Sequence, residues 1–172
     1  MNLYLRDFIY GAVDGAVTTF AVVSGVEGAG LSSRIVIILG LANLIADGFS
    51  MAVGNYLGTK ADLEQRYGQD SGGWGDAASP LRAGVVTFIS FVLVGTVPLL
   101  TFLINWIAGD TIDRPFLWSV LLTGIAMFGI GTVKSRFGAG AWYRGGLETL
   151  LIGGAAAVLA WGVGWLLRGV GV

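Results

Sequence analysis

Five apolar runs, each near the ~20 residues a helix needs to cross a bilayer, decide the solvent for most of this chain. They lie near residues 9–30, 35–57, 83–107, 116–133 and 147–167. Hydrocarbon offers no partner to an open backbone, so each run is expected to be a helix. The fold class that follows is an all-α integral membrane protein with five transmembrane helices, built as a single domain over residues 1–172. Charged residues make up only 12% of the chain, about half the share found in soluble domains.

The same composition narrows function. With a net charge of −1, nucleic acid is not an expected partner. Cys and His are both absent, so a metal ion could be met only by oxygen and thioether groups, and a proton only by a carboxylate. No nucleophile–base set, phosphate loop or cofactor motif stands out, so neither an enzyme nor a bound cofactor is expected. The opening MNLYLRDF leads straight into the first run without a small-residue cleavage site, and that run is expected to stay in the mature protein.

The basic residues orient the spans. Arg6, Lys60, Arg66, Arg82, Lys134, Arg136 and Arg144 fall on the N-terminal side, whereas Arg34, Arg114 and Arg168 fall on the other. This bias predicts a cytoplasmic N-terminus and a C-terminus outside. Trp106, Trp118, Trp161 and Trp165 lie near the outer span ends, as an aromatic belt does. Residues 60–80 form a short cytoplasmic loop, whose first part, Lys60–Tyr67, could extend the second helix. Its Ser-Gly-Gly-Trp-Gly stretch reads as a turn.

Two acids sit inside the apolar runs: Asp14 in GAVDGAVTTFAVVSG and Asp47 in ANLIADGFSMAVGNYLG. A carboxylate near a helix centre in lipid costs roughly 2.5–3.5 kcal/mol, so such groups usually face a bundle interior or an aqueous path. Asp7, Gly11, Asp14 and Thr18 share one face of the first helix, and Asn43, Asp47, Met51 and Asn55 share one face of the second. Asp7 falls at the cytoplasmic rim, with Asp14 roughly 10 Å deeper. Counted from the span ends, Asp14 and Met51 reach similar depth and Asp47 lies nearer the midplane. The short connection Leu31–Arg34 makes the two helices antiparallel neighbours, and the pairs Gly11/Gly15 and Gly54/Gly58 are spaced for close backbone approach. Oxygen ligands alone suit Mg²⁺ or Ca²⁺; a thioether such as Met51 shifts preference toward Fe²⁺, Mn²⁺ or a later transition metal.

Each polar group also has a plainer role. Met51 could fill core space, Asn43 and Asn55 could bond across helices, and Asp7 could be a helix N-terminal charge favoured by the macrodipole. Glu27 is either solvated or the mark of an exit. Glu148 is best read as a structural partner of Lys134 or Arg136. Pro98 gives a static kink or a hinge, and Thr18, Thr19 and Ser24 either bond back to their own helix or hydrate a path.

At these residues the chain resembles the vacuolar iron transporter family. The resemblance rests on YGAVDGAVTTFAVVSGVEGAGLS, GLANLIADGFSMAVGNYLGTK, TFISFVLVGTVPLL, and KSRF with GLETLLIGGAAAVLAWGVG. It implies five spans, a homodimer, an ion path between subunits lined by the first two helices, and exchange of Fe²⁺ or Mn²⁺ for protons with export from the cytosol. It also implies that Asp14 and Met51 are transport-site ligands, with Asp7 as the carboxylate on their cytoplasmic side. The plant and protist branch carries a long Glu- and Met-rich cytoplasmic segment, whereas Lys60–Pro80 here has one Glu and no Met. That branch commonly has glutamate at the position of Asn43; this chain has Asp47 one turn on. The short form resembles bacterial members, which implies an inner membrane.

A parallel homodimer would set two copies of Asp14, Asp47 and Met51 across its axis. Crowded carboxylates repel, and would hold protons until a cation displaces them. The rivals are a passive channel with an acidic ring and a non-transporting scaffold assembled through its glycine faces.

Overall fold

The computed structural model describes residues 4–67, 79–136 and 141–169. Among them the regular structure is entirely helical: α1 (Leu5–Gly28), α2 (Ser33–Tyr67), α3 (Pro80–Gly95), α4 (Leu100–Ala108), α5 (Pro115–Arg136) and α6 (Trp142–Leu166), with a 3₁₀ turn at Val97–Leu99 between α3 and α4. Helices α3 and α4 act together as one span, so five segments are long and apolar enough to cross a membrane. Side chains such as Ile125, Leu151 and Leu159 stand about 70% exposed on the outer faces. Lipid is the solvent in which such a surface is stable.

Helix α1 is the axis of the bundle. It packs against α3 on one side and α6 on the other, while α2 lies mainly on α3 and α5 mainly on α6. One apolar cluster joins Val23, Val36, Leu44, Phe91, Leu99 and Phe102, and a second joins Ala16, Phe20, Met127 and Ala157 on the opposite side of α1. The amount of close contact follows residue size. Any Cβ at Gly15 would lie 2.9 Å from the Phe91 Cα, and one at Gly11 would meet the Thr87 carbonyl. The α3 backbone therefore rests directly on α1, the close approach that small residues permit in lipid.

Two expectations are corrected here. Gly11 and Gly15 do bring a neighbour close, but the neighbour is α3; α1 and α2 touch less extensively than either touches α3. Gly54 and Gly58 support no close approach, since a Cβ at either meets nothing within 4 Å. The extension of the second helix through Lys60–Tyr67 that the sequence offered is present, since α2 continues to Tyr67. The i,i+4 pairs Lys60–Glu64 at 3.7 Å and Asp62–Arg66 at 3.0 Å accompany that extension, a spacing that supports helix beyond the apolar run. The Ser-Gly-Gly-Trp-Gly stretch falls outside the described residues.

Chain signals place the other boundaries. α3 opens on Pro80 at its first turn with Ser79 as cap, its hydroxyl accepting from the Arg82 N–H at 3.5 Å. Pro98 has no N–H to give the helix, and the span breaks there. The Ser119 hydroxyl of α5 donates to the Pro98 carbonyl at 2.6 Å, so the break is tied to a neighbouring helix. α4 ends on Gly109 at φ 76°, a left-handed cap. Lys134 pairs with Glu148 at 3.4 Å on the exposed surface, as the sequence suggested.

Candidate functional site

The polar residues of α1 and α2 are held in register by one amide. Asn55 Nδ2 donates to Asp7 Oδ1 at 2.9 Å and to Thr87 Oγ1 at 2.7 Å, and lies 3.4 Å from the Ala83 carbonyl. Three helices meet there. Seven residues along α1 from Asp7, and seven back along α2 from Asn55, lie Asp14 and Gly48. The α3 contacts give the same register: a Cβ on Gly15 or on Gly48 would meet Phe91, and one on Gly95 would meet both Leu44 and Gly15.

Asp14 is accordingly level with Asp47, and the two are near enough for their charges to act on each other. Met51 lies one turn nearer the end of the bundle that holds the N-terminus. Counting from span ends put Met51 rather than Asp47 level with Asp14; span ends are soft by about two to four residues, and the Asp7–Asn55 bond resolves the offset. Asp14 and Asp47 are both half-buried, and among the described residues neither carboxylate has a hydrogen-bond or ion-pair partner. The Thr18 hydroxyl bonds back to the Asp14 backbone carbonyl at 2.9 Å, not to its side chain.

The remaining predicted residues occupy distinct places. Met51 is half-buried and packs against the cluster containing Phe91 and Leu44. Asn43 lies one turn from Asp47 on the opposite side from Met51, and its buried Nδ2 has no hydrogen-bond partner among the described residues. Asp7 is separated from the acidic pair and opens into a cleft of about 580 Å³ lined also by Tyr4, Tyr10, Asn55, Asp62 and Arg66. Thr19 and Ser24, further along α1, bury hydroxyl oxygens that have no partner among the described residues.

Sequence reasoning missed Thr87, Tyr10 and Asp62. Thr87 is fully buried, and no charged residue stands next to it in the sequence to draw attention to it. Asp62 lies in the extension of α2 beyond the apolar run, which the sequence reading offered as helix without giving this residue a role. Among the described residues no three His, Cys, Asp or Glu side chains gather as a metal cluster. One protomer thus carries two carboxylates at about one level, with a thioether one turn away along α2.

Five helices long and apolar enough to cross a bilayer make the chain an integral membrane protein, and two of those helices carry acids that have no partner among the described residues. The VIT family model matches residues 5–72 and 63–165, and the chain belongs to that family. Similar proteins include a vacuolar iron transporter of Toxoplasma gondii, 26% identical over 227 aligned positions that cover 96% of this chain and 74% of the relative. Vacuolar iron transporter 2 of Oryza sativa subsp. japonica is 26% identical, covering 92% and 85%. Vacuolar iron transporter homolog 1 of the same plant is 28% identical, covering 93% and 72%. The first of these alignments is longer than the 172 residues of the chain, so that relative carries inserted residues.

Proposed function

We propose that this protein carries divalent transition-metal ions, Fe²⁺ or Mn²⁺, across a membrane in exchange for protons, along a path between two copies of the chain. The observation that carries the reading is the Asp14–Asp47 pair, about level and without a partner among the described residues. Two carboxylates without a counter-charge are unfavourable in low dielectric, and a cation or protons must neutralise them. Cation and proton then compete for the same oxygens, which couples their fluxes without a histidine.

Several features support the finer points. The half-buried polar face of α2 lies beside exposed apolar side chains, Ile45 at 59% and Phe49 at 64%. In a lone protomer that face would meet hydrocarbon; a second copy would cover it and double the donors to four carboxylates and two thioethers. The basic residues Arg6, Lys60, Arg66, Arg82, Lys134, Arg136 and Arg144 all fall at one end of the bundle, which favours a cytoplasmic N-terminus; export from the cytosol is taken from the family resemblance alone. The absence of the long insert seen in relatives supports a short, bacterial-type member of an inner membrane.

The deciding measurement is Mn²⁺ movement into proteoliposomes under an imposed pH gradient. Accumulation above the external concentration, lost when the gradient is collapsed, is the expected result. Movement that only ever runs down the metal gradient would make the protein a passive channel, and no movement at all would leave a scaffold. In the same vesicles Met51→Leu is expected to cut the preference for Fe²⁺ over Mg²⁺ about tenfold, because it removes a soft donor one turn from Asp47. Unchanged discrimination would exclude the thioether from the path.

A further inference from the structure

The cleft beside Asp7 contains a hydrogen-bond chain whose direction can be worked out atom by atom. Thr87 Oγ1 donates to the Ala83 carbonyl at 3.0 Å, so its single proton is committed and it can only accept from Asn55. An ionised Asp7 likewise only accepts. The Asn55 group facing both must therefore be the NH₂ end, with one hydrogen for each acceptor. That leaves the planar amide no rotational choice, and its carbonyl oxygen is directed away from Thr87. Thr87 is completely buried, so the chain is anchored in the protein on one side and ends at a half-buried carboxylate on the cleft side.

We infer that Asn55 is a positioning residue for Asp7: clamped by Thr87, its amide holds one carboxylate oxygen of Asp7 and turns the other toward the cleft as the first oxygen ligand a divalent cation meets. This rests on the transport reading above but goes beyond it, since it assigns the receiving step to a three-helix device. The device uses α1, α2 and α3 at once, so the orientation of Asp7 reports whether these helices are in register. An unclamped aspartate would sample several rotamers, and ordering it at each encounter would weaken capture.

A purely structural clamp would change stability without changing how the protein responds to metal. The test uses the purified full chain with Mn²⁺ as probe, in proteoliposomes under a pH gradient for KM and kcat, and by electron paramagnetic resonance for binding at equilibrium. Asn55→Ala is expected to raise KM and the dissociation constant about tenfold, the scale of one charge-assisted bond, with kcat falling by less than about threefold. In an Asp7→Asn background the same substitution should add nothing further. Thr87→Val keeps the side-chain shape, removes the clamp and is expected to give a smaller rise in KM; Thr87→Ser should restore the wild-type value. Thr87→Val also carries the test should Asn55→Ala not fold.

An unchanged KM in both clamp variants, or an Asn55→Ala effect that persists in full without the Asp7 carboxylate, would overturn the inference. If the wild type binds Mn²⁺ with the Asp7-dependent pattern yet moves none, the transport reading falls and the positioning role stands. If the wild type transports and only the pattern is missing, the reverse holds. Absence of both binding and transport would remove the two together.

Discussion

Asp14→Asn is expected to reduce metal transport to the level of empty vesicles while leaving the folded protein intact. The substitution keeps shape and removes charge. If each lost charge-assisted contact to the cation is worth about 1.5–3 kcal/mol and a dimer loses two, the rate should drop about 10²- to 10⁴-fold. Stability should move the other way or not at all. Asp14 has no bonding partner among the described residues and lies about level with Asp47, so its carboxylate contributes repulsion and desolvation to the fold, not support. Thermal unfolding in detergent at or above the wild-type temperature, with transport gone, is the expected pair of results. Transport at the wild-type rate would remove Asp14 from the path.

The second large effect concerns packing. Gly15→Val is expected to destabilise the bundle by at least about 3 kcal/mol, beyond the usual range for an overpacked core site. Its new side chain would have to enter the α3 backbone at Phe91, with even the first carbon only 2.9 Å from a Cα. Helix α3 would have to move off α1, and the Asp7–Asn55–Thr87 junction would open with it. Gly54→Ala is the control. Its Cβ meets nothing within 4 Å, and replacing a helical glycine usually adds about 0.5–1 kcal/mol. Size-exclusion profiles and unfolding temperatures of the two variants should therefore diverge in opposite directions. Equal behaviour would mean that α1 and α3 tolerate separation.

What was legible beforehand follows the physics of each signal. The membrane imposes a simple test on runs of apolar residues, so the five spans were readable almost at once. The tail of α2 was offered as an extension over Lys60–Tyr67 but not as part of a span, because its stability comes from paired charges such as Lys60–Glu64, which do not register as hydropathy. Pro98 announced a break, but not that Ser119 would tie it. The glycine pair on α1 announced a close neighbour without saying which, since a small residue specifies a gap and leaves its occupant open. The vertical offset between α1 and α2 was misjudged for a related reason: it depends on one tertiary bond, Asn55 to Asp7, and no local pattern encodes it. The polar faces themselves were legible, because helical periodicity collects Asp7, Asp14, Asp47 and Asn55 regardless of what packs around them.

The unbroken length of α2 has a mechanical consequence. Its 35 residues make a rod about 52 Å long at 1.5 Å per residue, against a hydrocarbon layer of about 30 Å. Asp47, Asn55 and the Asp62–Arg66 pair are fixed points on that one rigid body. A swing of about 3° about one end displaces the other by nearly 3 Å, which is the scale of a hydrogen bond. Any force applied to the charged tip in water is therefore delivered, with leverage, to the acids in the lipid.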